Sequence, residues 1–281
     1  MTLQEYIASL RGGTVAVIGI GVSNTPLLRL LLREGIAVTA CDRSDRAKLG
    51  ALAEELEAAG AVLRLGDGYL QNLSQDVIFR TPGLRPDVPE LEAARAKGST
   101  ITSEMEVFFE VCPCPIIAVT GSDGKTTTTT IIAQLLRAAG HTVHVGGNIG
   151  HPLLAEADTI RPTDWAVLEL SSFQLMTMRR SPDRAAVTNL SPNHLNWHTD
   201  MAEYRAAKAN ICTHMRSADP LCGAVLNAEN PDTRALGLSL PPEVPVTWFS
   251  SAVSGWKRVV PPERQFAVYR HVGIGFDGLT H

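Results

Sequence analysis

The stretch "PIIAVTGSDGKTTTTTIIAQLL" runs from Pro115 to Leu136. A β-rich apolar run ends at Thr120-Gly121, two glycines flank Ser122 and Asp123, and Lys125 opens a run of five threonines. The apolar spacing that follows is helical and closes on Gly140. Glycines at 121 and 124 let the backbone turn its N–H groups inward, and the helix behind them offers its positive end to an anion. A strict Walker A loop would carry glycine at position 119, where this chain has Val119, so the pattern is the shorter T-G-x-x-G-K-T. Gly121, Ser122, Asp123, Gly124, Lys125, Thr126 and Thr127 are the candidate nucleotide-phosphate residues. Lys125 would reach the β- and γ-phosphates and the Thr126 hydroxyl would ligate Mg²⁺. The threonines beyond it fall at the helix start, where hydroxyls can satisfy unpaired N–H groups; five in a row would be odd in a helix interior. The competing reading, a solvated Thr/Gly loop, does not account for the strand before it or the helix after it. Glu169 closes another apolar strand, "WAVLEL", as a Walker B acid does, although a strand-ending glutamate is commonly just solvated.

Around this loop, short apolar runs alternate with helical patterns. Strands are expected at 14–20, 37–41, 76–80, 115–120, 142–147, 165–170, 185–190 and 223–227, and helices at 25–34, 45–59, 89–97, 103–110, 126–139 and 201–216. The alternation predicts βαβ units in mostly parallel sheets covered on both faces. Two glycine turns, near 20 and near 122, each need a sheet, so two domains are expected: 1–103, Rossmann-like, and 104–281, P-loop NTPase-like. The join is placed near residues 100–104, at "GSTITSE". Beyond about 230 the pattern reads as turns and antiparallel strand fragments, and the central domain reads as incomplete at its C-terminus.

Bulk properties exclude several classes. The 281 residues are 44% hydrophobic and 19% charged, and 25 basic against 29 acidic residues give a net charge of −4. There is no basic excess or stripe to hold nucleic acid. Five cysteines at irregular spacings, with no C-x-x-C and with Cys112-Pro-Cys114 unlike a zinc knuckle, point to a reduced compartment. Glu5 precedes any apolar run, which argues against a secretory signal, and no apolar run approaches the ~20 residues of a membrane span. The expectation is a soluble, cytoplasmic protein.

Two further segments carry chemistry. In "NLSPNHLNWHTDMAEYRAAKANI", Asp200 and Glu203 suit the N-cap and N3 positions of a helix on which Tyr204, Lys208, Ile211 and Met215 share a face. A lysine on that face can snorkel outward, or sit buried as a neutral amine able to take up CO₂ as an oxygen-donating carbamate. His194 and His198 stand four apart before the helix; a loop histidine is more often structural than a ligand, and nothing singles out His198. At the N-terminus, "VAVIGIGVSNTPLL" begins as a dinucleotide fingerprint, but Asn24 replaces the third glycine. Asp42, ending the next strand, could hold a ribose hydroxyl. A nucleotide, with NAD disfavoured by the missing glycine, or no nucleotide, are the readings left open.

Taken in order, "GIGVSNT", "RTPGL", "TGSDGKTT", "GGNIG", "ELSSFQL", "NLSPNHL" and "YRAAK" resemble the Mur ligases, ATP-dependent ligases of peptidoglycan synthesis. "SSFQL" points to the branch that adds D-glutamate to UDP-N-acetylmuramoyl-L-alanine. The resemblance implies that Lys125 and Thr126 hold the ATP phosphates and a first Mg²⁺ with Glu169. It implies that His194 and a carbamylated Lys208 hold a second Mg²⁺, making Lys125, His194 and Lys208 the catalytic set. Asn148, Ser171 and Gln174 would contact the muramoyl-alanine portion. Val22, Ser23, Asp42, Arg43, Thr81 and Gly83 would hold the UDP portion, so the first glycine turn would carry a UDP-sugar. The implied partners are small molecules only (ATP, D-glutamate and the UDP-sugar), with no nucleic acid or membrane and a monomeric chain. Asn193 stands where the family often has aspartate. Family members continue into a third domain, so the alternative is a fragment that binds UDP-muramoyl-alanine or ATP without ligation.

Overall fold

The computed structural model describes residues 1–215 and 221–250 and the backbone of 268–270. These residues form two compact units, one of Met1–Pro115 with His141–Ala166, the other of Ile116–Gly140 with the described residues from Val167 onward.

The first unit opens with helix α1 (Leu3–Leu10), which the apolar periodicity did not announce. Its signal lies in the cap: Glu5 N donates to Thr2 Oγ1 and Thr2 N donates to the Glu5 carboxylate, a reciprocal capping box. Strands β1 (Thr14–Ile18), β2 (Ala37–Asp42), β3 (Val62–Leu65), β4 (Val77–Arg80) and β5 (Thr100–Thr102) form a wholly parallel sheet in the order β3-β2-β1-β4-β5. Helices α2 (Thr25–Arg33), α3 (Arg46–Leu49), α4 (Ala51–Ala58) and α5 (Pro89–Ala96) make the connections. Val15 to Ile18 are all buried, as a central parallel strand covered on both faces requires.

Two expectations need correction here. The helix expected over 45–59 is broken at Gly50, whose φ of 54° no interior helical residue adopts. The join expected near 100–104 contains β5, which pairs in parallel with β4, and Ser103 then caps α6 (Glu104–Val111) by accepting from Glu106 N. A short β-strand without an apolar core of its own reads as a linker when only its polar residues are visible.

The second sheet comprises β6 (Ile116–Thr120), β7 (Val143–Gly147), β8 (Trp165–Glu169), β9 (Arg184–Val187), β10 (Gly223–Asn227), β11 (Val246–Ser250) and β12 (Val268–Arg270), in the order β12-β11-β10-β9-β6-β8-β7. Helices α7 (Lys125–Ala138), α8 (Ser172–Leu175), α9 (Met201–Thr213) and α10 (Pro231–Ser239) punctuate it, and a 3₁₀ turn spans Leu154–Thr159. The antiparallel fragments expected after 230 are instead the parallel pairs β10–β11 and β11–β12. The helix α10 between them is set by the Asn230 cap and by Pro231 at its first position. Apart from β12, residues 251–281 lie outside the described residues.

Candidate nucleotide and metal site

In a doubly wound sheet, ligands bind beyond the carboxyl ends of the strands where the strand order reverses. In the second sheet β6 lies between β9 and β8, and the loop after it is the one singled out by its sequence. Gly121 has φ 149° and Gly124 φ 79°. A Cβ on Gly121 would lie 1.9 Å from Thr188 Oγ1, so only glycine fits against the end of β9. Gly124 is the N-cap of α7, and no side chain caps that helix. The threonine hydroxyls therefore do not satisfy its first turn, contrary to expectation. That leaves the helix start available to an anion. Instead, Thr126 Oγ1 donates to Glu169 Oε2 at 2.6 Å, joining the two residues expected to share a cation. Lys125 Nζ donates to Ser122 O at 3.0 Å, folded back over the loop.

The loop is braced from the segment that follows β9. Asn189 Oδ1 accepts from Asp123 N and its Nδ2 donates to Asp123 O, both at 3.1 Å. Thr188 Oγ1 donates to Asp123 O at 2.6 Å. Ser122 Oγ donates to Ser191 O at 2.9 Å and accepts from Ser191 N at 2.8 Å. None of Thr188, Asn189 or Ser191 was singled out from the sequence as a bracing residue. Their signal is the three polar residues of "TNLS" directly after an apolar strand. Beside the loop, a largely apolar cleft of about 760 Å³ is lined by Asp123, Gly124, Thr128, Val225, Asn227 and Phe249.

Behind the loop stands α9. Asp200 is its N-cap, accepting from Glu203 N at 2.8 Å. Glu203 does not close the reciprocal box; its Oε2 accepts from Thr199 N and meets His198 Nδ1 at 3.0 Å. Tyr204, Lys208 and Ile211 are buried on one face as their spacing predicts, whereas Met215 lies past the helix end. Lys208 is 2% exposed, so it does not snorkel. Its Nζ donates to Gly121 O at 2.9 Å and Thr120 Oγ1 at 3.1 Å. Burial, aided by Lys125 and opposed by Glu169, brings its pKa down to about 7, so near neutral pH much of it is an uncharged amine.

His194 sits in the left-handed region at φ 55°, with its N–H donated to Asn193 Oδ1 at 2.8 Å. Asparagine at 193 thus supports the turn that aims the imidazole. Burial lowers its pKa, and Lys208 and Lys125 lower it further, which keeps the ring neutral and its lone pair available. His198, not selected from the sequence, is the buried hub of this corner. Its Nε2 lies 2.9 Å from Ser172 Oγ, and its ring stacks on Phe173 at 5.7 Å. Ser171 and Gln174 form the capping box of α8, with Gln174 Oε1 accepting from Ser171 N at 3.0 Å. Asn148 follows β7 on the surface of the first unit.

The other glycine turn, at the end of β1, has its own geometry. Gly19 N donates to Cys41 O, Thr81 N donates to Ile18 O, and a Cβ on Gly19 would meet Thr81 at 2.9 Å. Asp42 accepts from Ile20 N at 2.6 Å and Ser44 N at 2.7 Å, so it ties two turns together. Val22, Ser23, Arg43 and Gly83 are exposed at the ends of β1, β2 and β4. Asn24, 1% exposed, donates Nδ2 to Ile18 O at 2.9 Å and fills the place of the missing glycine. Buried Arg80 donates Nη1 to Thr81 O, Pro82 O and Leu84 O, shaping the loop that carries Thr81 and Gly83.

With this geometry in hand, comparison with known proteins is direct. Residues 119–252 match the Mur ligase middle domain. The chain is 51% identical over 233 residues to the UDP-N-acetylmuramoylalanine–D-glutamate ligase of Acetivibrio thermocellus, covering 83% of this chain and 49% of that protein. The chain belongs to the Mur ligase family. A relative of the same name from Symbiobacterium thermophilum is 51% identical over 221 residues, covering 78% of this chain and 48% of that protein. The chain thus spans about half the length of the curated relatives it matches. Among solved structures, a UDP-N-acetylmuramate:L-alanyl-gamma-D-glutamyl-meso-diaminopimelate ligase from Neisseria meningitides superposes with a TM-score of 0.55 at 19% identity, over 84% of this chain and 78% of that one. A murein peptide ligase from Psychrobacter arcticus gives 0.51 at 18%, over 85% and 53%. These two establish the Mur ligase fold.

Among the described residues no cluster of three or more His, Cys, Asp and Glu side chains could hold a metal. In this Mur ligase chain the candidate cation ligands are therefore mixed: Thr126 with Glu169, and His194 with Lys208. The first pair fits Mg²⁺, since both donors are hard oxygens already 2.6 Å apart. The second fits only if Lys208 carries an anionic group, since an ammonium there would repel the ion. No helix of the described residues is long and apolar enough to cross a membrane.

Proposed function

We propose that this chain carries the UDP-sugar and ATP sites of an ATP-dependent ligase that joins D-glutamate to UDP-N-acetylmuramoyl-L-alanine, a cytoplasmic step of peptidoglycan precursor synthesis. The observation that supports it most is the phosphate loop with Thr126 held at 2.6 Å from Glu169 and Lys208 buried behind it. The choice of amino acid rests on relatives about half identical to this chain. Residues 1–103 would hold UDP through Val22, Ser23, Asp42, Arg43, Thr81 and Gly83. Residues 104–281 would hold ATP, with one copy of the chain supplying both sites as a monomer.

In this reading the muramoyl-alanine carboxylate attacks the γ-phosphorus of ATP, giving an acyl phosphate and ADP. The D-glutamate amine then adds to the acyl carbon, and the tetrahedral adduct expels phosphate, which leaves with the proton the nitrogen gives up. The residues position and neutralise rather than form bonds. Residues 121–127 turn N–H groups toward the phosphates, and Lys125 swings from Ser122 O onto the transferring group. The cleft beside Asn227 and Phe249 receives the flat base. Asn148, Ser171 and Gln174 orient the muramoyl-alanine end.

Two Mg²⁺ ions, when bound, neutralise phosphate charge; Thr126 and Glu169 would hold one, His194 and carbamylated Lys208 the other. Lys208 can acquire that group because burial leaves a substantial fraction of its amine uncharged near pH 7: the nitrogen lone pair adds to CO₂ and one N–H proton leaves. Lys208→Ala is then expected to lose activity that added short carboxylic acids partly restore, and intact mass at high bicarbonate should show the added CO₂.

The second reading is that this chain binds UDP-muramoyl-alanine and ATP but does not ligate. Mass spectrometry of a mixture of chain, UDP-N-acetylmuramoyl-L-alanine, D-glutamate, Mg²⁺ and ATP separates them, with Lys125→Ala in parallel. Product that depends on Lys125 establishes the ligase. Saturable binding of the UDP-sugar without product establishes the binding portion. Absence of both refutes the site assignments.

A further inference from the structure

Cys112 and Cys114 flank Pro113 at the exit of α6, away from the residues assigned above. Their sulfur atoms lie 3.6 Å apart, and Cys112 Sγ is 3.5 Å from Cys114 O. The juxtaposition is built into the backbone. Cys112 is the C-cap of α6, with its N–H donated to Phe108 O at 2.9 Å and an extended conformation of φ −61°, ψ 120°. Pro113 has a fixed φ, and Pro115 restricts Cys114 to extended backbone. Two prolines thus hold two thiols at contact with little conformational freedom left to lose.

We propose that Cys112 and Cys114 are a redox-active dithiol, converted reversibly to an intrachain disulfide by a small-molecule disulfide.

Their environments divide the labour. Cys112 is half-buried, whereas Cys114 is only 5% exposed. The Cys112 thiol beside it lowers the Cys114 pKa, burial opposes this, and the Ala166 N–H lowers it further, leaving it below the usual thiol range. By contrast, burial pushes Cys41 up to about 11 and Cys212 up to about 12, which leaves both inert. The Cys112 thiolate attacks the small disulfide R–S–S–R, forming a mixed disulfide and releasing R–S⁻. The Cys114 thiolate then attacks Cys112 Sγ, forming the protein disulfide and releasing a second R–S⁻. Two protein thiols lose two electrons and two protons, and R–S–S–R gains both as two R–SH. The sulfurs must close to about 2 Å. A ring over a single intervening residue departs from relaxed disulfide geometry, so the bond is easily reduced, as labile and regulatory disulfides are.

The test equilibrates the purified chain with oxidised and reduced glutathione at graded ratios, blocks remaining thiols with N-ethylmaleimide under denaturing conditions, and maps peptides by mass spectrometry. The number of blocked thiols is expected to fall from five to three, with the peptide holding Cys112 and Cys114 lighter by two hydrogens. Dithiothreitol should restore all five. Cys114→Ser should stop at a glutathione adduct on Cys112, and Cys112→Ser should give no internal disulfide. Retention of five thiols in fully oxidised glutathione overturns the proposal. So does a stable glutathione adduct on Cys112 of the unsubstituted chain, or a disulfide that involves Cys41, Cys212 or Cys222.

Discussion

Lys208 illustrates how far single residues could be read from the sequence. Its place on the face shared by Tyr204 and Ile211 followed from helical spacing, and the structure buries all three. Spacing could not say whether the amine reached solvent; the backbone oxygen of Gly121, 87 positions away in sequence, decides that. The same limit hid His198, whose partner Ser172 comes from a different element. The burial of Lys208 has a measurable consequence. Its pKa falls from 10.5 in the ordinary state to about 7 when folded. Below pH 7 both states are protonated and the burial penalty is fully in force. Between pH 7 and 10.5 the unfolded chain binds more protons, so the folded state gains stability as pH rises. In bicarbonate-free urea titrations from pH 7 to 9.5, unfolding free energy should rise with pH relative to Lys208→Met; a parallel pH dependence of the two proteins would show that the amine is not desolvated.

At the scale of elements, most strands and the phosphate-loop helix were legible because apolar runs bounded by glycine carry both type and position. Direction was not. The stretch 246–250 alternates buried and half-buried residues as an antiparallel hairpin strand would, yet it pairs in parallel with β10. Alternation reports which face is buried and is silent on which way a neighbour runs. Nor did the sequence show why α10 tolerates a glycine at 237. A Cβ there would lie 2.4 Å from Trp248 and 2.6 Å from Leu226, so this helix reaches the sheet through a missing side chain. Gly237→Ala gains helix propensity but overpacks that contact; a net loss of about 1–3 kcal/mol is expected in chemical denaturation. A stabilised variant would mean that the helix can lift away from the sheet without loss.

Over the whole molecule, the two glycine turns announced two sheets, because each follows a strand at a strand-order reversal of its own sheet. Where one unit gives way to the next was not legible: residues 141–166 return to the first unit after the chain has entered the second, and no local composition marks such a re-entry. The two ligand sites should nevertheless respond separately. In hydrogen-exchange mass spectrometry, ATP with Mg²⁺ is expected to protect 121–127, and UDP-N-acetylmuramoyl-L-alanine to protect the turns at 19–23, 42–44 and 81–84. ATP at 100-fold over its Kd should stabilise the chain by about 2.7 kcal/mol, and Lys125→Ala should abolish that gain. Protection of both regions by ATP alone would contradict separate sites.

The crowding of Gly121 against Thr188 also bears on descent. With a would-be Cβ 1.9 Å from the threonine hydroxyl and that hydroxyl bonded to Asp123 O, the glycine cannot be replaced alone. Any lineage that replaced the glycine would first need a smaller residue at 188, and would surrender a brace of the phosphate loop in the interval. Replacement of the glycine is therefore tied to a prior change at 188, and an aligned set of close relatives should show position 121 departing from glycine only where position 188 is smaller than threonine.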